Sequence, residues 1–485
     1  MKQASWFEIF MARCWNLLNE SKTFTPIFVI GVFLLYQYTL GQGSLDWISF
    51  FYSLLLLLPI FILYYVFDFP LWLRWFLILP LAAGVVVFGV TDLLILWFAL
   101  GLFIFFTVFF WGTLYYHLRI GTPWLNFLRI WKLFLINSDS TSGNTFEQLP
   151  KVFLQLLMLT AFYQTGDKER LLMPCLFFYA GLAVFCWLVH RLWFTWKPIP
   201  YASYTEQSLL PEQPLAQKVI VVVIDGCRKE RLYEADAPFL QRLMREGTVY
   251  DQMETIYPAR TVTCFSSMFT GTYPFEHGIK SNMVWSLLVK VESVFSVLKA
   301  QGRKGILFGC AHLLDAFGEY VESFTAVCHN DVVDQRIIEQ AKVIYELEQP
   351  DLFVVQMIAV DQTGHSRGVL YPEYLQKIKE SDQLIADFHG WLTARGDMEN
   401  TAFIVMADHG QGNGIGGHGH LDVGERFVPY IMHGPMIRGG QWITELRSIT
   451  SLAATISALL GVPVPNRARG PILHDALLKK GEETV

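Results

Sequence analysis

The sequence predicts two unlike halves: an N-terminal α-helical transmembrane bundle and a C-terminal α/β domain with a largely parallel sheet. Up to about residue 196 the chain is dominated by Leu, Phe, Trp, Ile and Val, whereas from Lys218 onward its composition is that of a soluble protein. In this second part, apolar runs alternate with helical patterns. We therefore divide the 485 residues into a transmembrane domain (1–196), a linker (197–217), an α/β domain (218–475) and a tail (476–485).

Five stretches of the first half have the length needed to cross a hydrocarbon core, about 18 to 24 residues. Trp and Tyr residues crowd their ends, as is typical of membrane–water interfaces. The sequence therefore predicts an integral protein of the cell membrane. The stretches are residues 24–41, 46–67, 71–90, 93–116 and 171–192.

The number of crossings depends on a sixth apolar run, residues 152–163, which is only about a dozen residues long. Residues 124–136 alternate apolar side chains with Arg129 and Lys132, the pattern of a helix at the membrane surface. With the N-terminus in the cytoplasm, the Lys and Arg distribution fits five or six crossings. Length favours five, which predicts an extracytoplasmic α/β domain, whereas six would place both ends on one side.

Net charge and cysteine spacing exclude two classes of function. The formal net charge of -6 gives no basic stripe for nucleic acid. The seven cysteines show no CxxC pair, which disfavours a structural zinc ribbon. We expect buried or free thiols in the second half, at Cys227, Cys264, Cys310 and Cys328. The oligomeric state is not predicted.

The α/β domain is predicted from continuous apolar runs, which are typical of strands covered on both faces. The runs are "KVIVVVIDG", "KGILFGC", "DLFVVQMIAVD", "TAFIVMADHG" and "FVPYIMHG". Helical patterns separate them, at residues 237–246, 291–301, 332–347, 372–394 and 445–460.

Three of these predicted strands end in aspartate, at Asp225, Asp361 and Asp408. Ligand sites of open α/β sheets form beyond the carboxyl ends of the strands, so the three carboxylates are expected at one rim. The alternative is that each Asp merely begins a turn. Two of the three are followed within four residues by a histidine, which favours a site.

Histidines complete this set: His409 follows Asp408, His365 follows Asp361 in "DQTGH", and His418 lies in "GGHG". Carboxylates and imidazoles are ligands that divalent zinc or manganese prefers. Five or six such ligands exceed one open tetrahedral site and suit two neighbouring metals, the arrangement used in phosphoryl transfer.

A nucleophile for phosphorus is offered by "YPARTVTCFSSMFTGTYPFEHG". The run 262–269 is predicted to be helical, which places Thr261 at or just before a helix N-terminus, where an anion is favoured. A metal would lower the pKa of the Thr261 hydroxyl. The alternative is that Thr261 is only a helix N-cap.

The order of Asp225, this segment, "DQTGH", "ADHG" and "GGHG" resembles the alkaline phosphatase superfamily. It is most similar to the type I phosphodiesterase/nucleotide pyrophosphatase branch, and it also resembles the enzymes that transfer ethanolamine phosphate to glycolipid anchors. The resemblance covers about residues 218–473 and not the membrane half.

The resemblance implies roles for individual residues. Thr261 would be the transiently phosphorylated nucleophile, and two zinc ions are the usual cofactors. Four residues would hold one metal: Asp225, Thr261, Asp408 and His409. Three would hold the other: Asp361, His365 and His418, with His420 as an alternative to His418. His277 and Asn282 also match family positions and are expected to be structural.

One departure concerns the third residue after the nucleophile. The resemblance implies an Asn that helps to bind a phosphate oxygen, but this chain has Cys264, and a thiol is a poor donor. This departure disfavours nucleotide substrates. Arg260 is a candidate for the missing charge, unless it is a solvated surface residue. Thr261 lacks the sequence context that sulfatase chemistry needs.

Three functions follow from these observations. The first is a membrane-anchored, metal-dependent phosphodiesterase or phosphotransferase that acts on a lipid head group or a lipid-linked phosphodiester. The second is a tethered nucleotide pyrophosphatase or phosphomonoesterase for soluble substrates. The third is an inactive membrane scaffold.

Overall fold

A computed structural model describes most of the chain in two compact units. One unit is Trp15–His117 with Pro123–Trp196, and the other is Lys197–Val485 with Met1–Cys14 and Leu118–Thr122. Some residues are outside the description, including part of the predicted surface helix 124–136, Cys328 and the end of the tail. The described residues are 5–7, 10, 13–14, 17, 21–41, 45–129, 145–166, 169–282, 284, 287–324, 329–413 and 417–478.

The first unit is helical throughout its described elements, as predicted. Asp46 and Asp92 cap two of the helices, where each carboxylate accepts backbone N–H groups of the first turn. The helices are α1 (Ser21–Thr39), α2 (Trp47–Val66), a 3₁₀ segment (Leu71–Leu77) that continues into α3 (Ile78–Phe88), α4 (Leu93–Ile104), a π-helical stretch (Phe105–Tyr115) that continues into α5 (Tyr116–Ile120), α6 (Thr145–Gln164) and α7 (Glu169–Trp193).

Among the described residues, four helical stretches are long and apolar enough to cross a membrane: Trp47–Val66, Leu71–Phe88, Leu93–Leu118 and Glu169–Trp193. The remaining predicted span, residues 24–41, corresponds to α1, which has 19 residues but polar ends that lower its mean hydropathy. The predicted number of five crossings is thus not tested by composition alone.

Helix α6 is longer than the sequence pattern indicated. The apolar run 152–163 is its second half, and the first turns are polar, so a search for apolar residues misses them. The whole helix has 20 residues, most of them buried against α1, α2, α3 and α4. The short length that argued against a sixth crossing is therefore not a property of this helix.

The second unit contains the predicted α/β domain. Five of the seven neighbouring pairs in its eight-stranded sheet are parallel, in the order β10-β2-β9-β7-β1-β6-β4-β5. A small second sheet has the order β11-β3-β8. The strands are β1 (Lys218–Ile224), β2 (Thr248–Tyr250), β3 (Met253–Glu254), β4 (Gly305–Cys310), β5 (Val321–Phe324), β6 (Leu352–Met357), β7 (Thr401–Met406), β8 (Phe427–Val428), β9 (Tyr430–His433), β10 (Gln441–Ile443) and β11 (Arg447–Ser448).

Helices pack on both faces of this sheet, which explains why its central strands are apolar on both sides. They are α8 (Lys229–Glu234), α9 (Pro238–Glu246), α10 (Thr261–Thr270), α11 (Pro274–His277), α12 (Val294–Ala300), α13 (Leu314–Phe317), α14 (Asn330–Glu348), α15 (Ala359–Arg367), α16 (Pro372–Ala394), α17 (Val423–Arg426) and α18 (Ser451–Leu460). The predicted helix 445–460 begins later, because β11 occupies its first residues.

Three adjacent strands, β7, β1 and β6, bring the predicted aspartates to one rim. Asp225 follows β1 directly, and Asp408 lies two residues after β7. The expectation that Asp361 ends a strand is wrong: β6 stops at Met357, and Asp361 lies in the first turn of α15. His365 follows it one turn later on the same face.

Candidate active site

Thr261 is the first residue of α10, and Arg260 is the N-cap residue. The Thr261 hydroxyl lies 3.3 Å from Nε2 of His409. A different side chain accepts a hydrogen bond from the first turn of the helix: Asn282 Oδ1 accepts the Val262 N–H at 3.0 Å. The alternative that Thr261 is only an N-cap therefore does not hold.

The first group of acidic and imidazole side chains surrounds this hydroxyl. His409 Nε2 lies 3.3 Å from Asp408 Oδ2 and 3.5 Å from Asp225 Oδ1. All three side chains are buried, and neither of these two carboxylate oxygens has a hydrogen-bond partner among the described residues. The Thr261 hydroxyl thus faces a buried, acidic centre.

The second group adjoins the first. Asp361 Oδ2 lies 3.2 Å from His365 Nε2, and Asp361 Oδ1 lies 3.7 Å from His418 Nε2. The rings of His409 and His418 stack with centroids 3.9 Å apart, which joins the two groups. The structure therefore brings together all seven residues predicted for the site.

Two sets of potential metal ligands have their ligand atoms within 4.8 Å of one another: Asp361 with His365 and His418, and Asp225 with Asp361 and His409. Asp361 belongs to both sets. The resemblance assigned Asp361 to one metal only, so its membership of both sets is a finding of the structure.

The imidazoles fit cations. His409 Nδ1 lies 2.9 Å from the Gly410 carbonyl oxygen, and His418 Nδ1 lies 2.8 Å from that of Ala259. Each Nδ1 therefore carries the proton, and each Nε2 presents its lone pair to the centre. His418 Nε2 is 3.2 Å from His365 Nε2. Two ring nitrogens this close are stabilised by a positive charge between them, either a proton or a metal ion.

The pKa directions of these side chains agree with this fit. Burial raises the pKa of Asp225 well above its ordinary value, and the nearby Asp408 and Asp361 carboxylates raise it further. Burial lowers the pKa of His418 well below its usual value, as does the neighbouring His409. Burial also opposes ionisation of Asp361, but the adjacent imidazoles, His365 first, outweigh it and lower that pKa. Clustered buried carboxylates and imidazoles are suited to divalent cations.

Three buried residues that sequence reasoning missed hold the site in place. Gln356 Nε2 donates to Asp225 Oδ2 at 2.6 Å, and Gln411 Nε2 donates to Asp361 Oδ1 at 2.6 Å. Glu425 Oε2 accepts three consecutive N–H groups, those of residues 419–421, next to His418. Of these three residues, only Gln356 could have been noticed in the sequence, because it is a polar residue within the apolar run of β6.

The remaining candidates have distinct places. His277 is buried, with Nε2 2.9 Å from Ser267 Oγ, and burial lowers its pKa to about 3, which agrees with a structural role. The His420 N–H donates to Glu425. The Cys264 thiol packs against Thr255 Oγ1 at 3.4 Å. Arg260 is only 9 % exposed, so it is not a solvated surface residue.

Residues 219–300 and 315–425 match the family model described as type I phosphodiesterase / nucleotide pyrophosphatase. The resemblance predicted from the motifs is confirmed. The match lies wholly within the α/β domain and includes all seven site residues, two in its first range and five in its second.

Curated relatives fall into two groups. The chain is 22% identical over 296 residues to the catalytic subunit of GPI ethanolamine phosphate transferase 2 from Homo sapiens, covering 57% of this chain and 29% of that protein. It is 27% identical over 284 residues to ectonucleotide pyrophosphatase/phosphodiesterase 2 from Saccharomyces cerevisiae, covering 47% and 58%. The chain thus spans less than two thirds of the length of either. The names of both relatives describe enzymes that act on phosphoric esters.

Among solved structures, murine ectonucleotide pyrophosphatase / phosphodiesterase 5 aligns with a TM-score of 0.44 at 16% identity. The alignment covers 51% of this chain and 96% of that one.

Proposed function

We propose that the protein is a membrane-anchored phosphodiesterase or phosphotransferase in which Thr261 is the nucleophile and two divalent metal ions, zinc as the usual pair, are the cofactors. The observation that carries this proposal is the position of the Thr261 hydroxyl, 3.3 Å from His409 within the gathered carboxylates and imidazoles. We assign Asp225, Asp408 and His409, with Thr261, to one metal, and Asp361, His365 and His418 to the other.

The reaction has two displacements. In the first, Thr261 Oγ loses its proton and forms a bond to phosphorus while the bond from phosphorus to the leaving oxygen breaks and that oxygen takes up a proton. Thr261 is then esterified by the phosphoryl group, which still carries the diester's other substituent. In the second, water or an alcohol attacks that phosphorus and Thr261 Oγ leaves. Two cations held by these residues would supply the charge that lowers the pKa of the attacking hydroxyl and stabilises the phosphate oxygens.

Two features of the chain would hold the phosphate near Thr261: the N-terminus of α10 and the side chain of Arg260. Thr261 stands at the N-terminus of the ten-residue helix α10, whose dipole favours an anion there. The guanidinium of Arg260 lies against Gly419, beside His418, with Nε 3.2 Å from the place a Cβ of Gly419 would occupy. This buried charge is our candidate for binding a phosphate oxygen in place of the expected Asn.

We propose a lipid head group or lipid-linked phosphodiester as the substrate. Several apolar helices, more than a single anchor needs, support it. Transfer of ethanolamine phosphate, named for one relative, is the corresponding transferase reaction. Hydrolysis of soluble nucleotides is the second candidate, supported by the name of the yeast relative.

The test uses purified full-length protein with zinc or manganese and bis-p-nitrophenyl phosphate. Thr261→Val should lower nitrophenol release by about 10³-fold or more, because it removes the nucleophile without changing side-chain size. The matched control is Thr263→Val, which removes a buried hydroxyl from the same helix and should leave the rate within a few-fold. Undiminished release by Thr261→Val would remove Thr261 from the mechanism.

Substrate class is tested separately. A diester should be cleaved faster than p-nitrophenyl phosphate, and a glycerophospholipid should compete with the chromogenic diester. Faster cleavage of the monoester or of a nucleotide, with no competition by lipid, would favour the second candidate. Metal-free protein after preparation in zinc-containing buffer would favour an inactive scaffold.

A further inference from the structure

Helix α6 carries charged and amide side chains into the interior of the helical unit. Glu147, Gln148, Lys151 and Gln155 are each at most 4 % exposed. Glu147, Lys151 and Gln155 are spaced by four residues, so they form one stripe along the helix. Ionisable groups within apolar helical bundles are costly and mark polar ligands or pathways.

Part of this α6 polar cluster is satisfied within the protein. Lys151 pairs with Glu147 one turn away, and its ammonium lies 5.4 Å from the ring centroid of Tyr64. The Thr25 hydroxyl donates to Gln148 Oε1. These contacts join α6 to α1 and α2.

Other donors of the cluster have no acceptor. Gln148 Nε2 and the Tyr64 hydroxyl are buried and lack a hydrogen-bond partner in the part of the chain that the structure describes. Gln148 is fully buried, and Tyr64 is 5 % exposed. Gln155 Oε1, one turn beyond Lys151, is an acceptor without a partner among the described residues. A ligand that satisfies all three groups must therefore offer acceptor oxygens for the two donors and also a hydroxyl or ammonium donor, as a phosphate-containing head group with a free hydroxyl does.

The cluster lies at one end of the helical unit. Tyr64 is in the last turn of α2, Thr25 in the first turns of α1, and Gln148 in the first turn of α6. The Lys22 ammonium, at the start of α1, lies 3.1 Å from Asp68, just beyond α2. Helix ends are where the phosphate groups of a bilayer lie.

We propose that the α6 polar cluster binds the phosphate of a membrane lipid head group, at a site separate from Thr261 and the candidate metal ligands. The Lys151 ammonium keeps its pair with Glu147 and donates a further hydrogen bond to the phosphate, and Gln148 Nε2 and the Tyr64 hydroxyl donate the others. The proposal uses contacts of the helical unit only, so it does not depend on the proposed reaction.

The test measures phospholipid that stays bound to full-length protein. Protein reconstituted with phosphatidylglycerol in a phosphatidylcholine background is delipidated in detergent and analysed by native mass spectrometry. We expect about one phosphatidylglycerol per wild-type chain. Tyr64→Phe should weaken retention about tenfold, since one hydrogen bond to a charged group is lost. The double variant Glu147→Leu/Lys151→Met should abolish it without leaving a buried unpaired charge.

The matched control is Tyr36→Phe, at the opposite end of α1, where the hydroxyl already donates to Asp92 at 2.6 Å. It should retain lipid like the wild type, and so should Thr261→Val, which separates this site from catalysis. Inorganic phosphate forms a second arm: displacement by millimolar phosphate would identify a general phosphate site, and resistance would identify a lipid. Equal retention by wild type, Tyr64→Phe and the double variant would overturn the proposal.

Discussion

At the residue scale, hydrogen bonds from Nδ1 orient two of the candidate metal-binding imidazoles, those of His409 and His418. In each ring Nδ1 donates to a backbone carbonyl, which fixes the tautomer in which Nε2 carries no proton. Two carboxylates are held in the same manner by the amides of Gln356 and Gln411. Such outer partners matter for metal affinity because they restrict the ligands before the metal binds.

Gly226 is the residue that gives Asp361 its space. Its φ is +65°, and a Cβ there would lie 2.5 Å from Asp361 Oδ1 and 2.9 Å from Gln411 Nε2. We predict that Gly226→Ala destabilises the fold by about 1 kcal/mol through backbone strain and also displaces Asp361. Zinc affinity, measured by competition with a chromogenic chelator, should fall at least tenfold.

Gly302→Ala is the control for backbone strain alone. Its φ is +69°, but nothing lies within 4 Å of the added Cβ. It should lose similar stability and keep full zinc affinity. Equal zinc affinities for the two variants would show that Gly226 does not shape the site.

Side chains that bear obvious chemistry could be read from sequence at this scale. Asp225, Thr261 and His418 occur in motifs whose residue types are typical of metal ligands and of nucleophiles for phosphorus. Gln411 and Glu425 could not be read, because an amide or a carboxylate on a loop has no signature until its partner, such as the N–H groups of residues 419–421, is known.

At the scale of elements, one tertiary contact determines where α15 begins. The Asp334 carboxylate, on α14, accepts the N–H groups of Ile358 and Ala359 at 2.9 and 3.1 Å. These N–H groups open the helix that carries Asp361 and His365. The apolar pattern continued through "MIAV", so periodicity predicted strand up to Asp361, whereas a residue distant in sequence starts the helix.

Asp334 also predicts a pH dependence of stability. Burial raises its pKa to about 6, against an ordinary value of 3.8, although the two N–H groups oppose this. A raised folded pKa means that the protonated form is favoured by folding. The contribution is therefore fully present below about pH 4 and is lost as the pH rises through 6.

Asp334→Asn keeps the acceptor and removes the titration. Relative to wild type, its free energy of unfolding should increase between pH 4 and pH 7 by about 3 kcal/mol, from 1.36 kcal/mol per pKa unit. Thermal melts of both proteins with a chelator present measure this difference. A difference that stays constant across this pH range would exclude titration of Asp334 as the cause.

Most other elements could be predicted because their patterns are local. The helix Pro372–Ala394 and the strand Thr401–Met406 match expectation closely, since amphipathic spacing and continuous apolar runs need no distant partner. The run "FVPYIMHG" is divided into β8 and β9, because Pro429 between them lacks the N–H that a ladder needs.

At the scale of the whole molecule, composition predicted a helical part and an α/β part, and both are present. The length of its apolar run underestimated helix α6. Its first turns are polar and still buried, since Glu147 and Lys151 neutralise each other. Hydropathy reports the free energy of transferring side chains from water to lipid. It does not include the contacts that polar side chains make with neighbouring helices inside a bundle.

A contact outside the helical unit bears on the number of crossings. Arg13, which precedes α1, forms an ion pair with Asp315 of the α/β domain at 2.5 Å. Residues that contact each other lie on one side of a membrane. We therefore predict an even number of crossings, with α6 as the additional one, in place of the five that length favoured.

Cysteines introduced at Ser5, Thr165 and Lys299 test this prediction in intact cells. Ser5 and Lys299 should react alike with a membrane-impermeant maleimide, and Thr165, between α6 and α7, should behave oppositely. Opposite labelling of Ser5 and Lys299 would restore the odd number of crossings.

The central claim, a pair of metals beside Thr261, is tested most directly by anomalous diffraction from crystals of the full-length protein grown with zinc. We predict two zinc peaks about 3.5–4 Å apart. One should lie about 2 Å from ligand atoms of Asp225, Asp408 and His409, and the other at that distance from ligand atoms of Asp361, His365 and His418. A map without zinc peaks at these residues, or with them dispersed away from Thr261, would contradict the account.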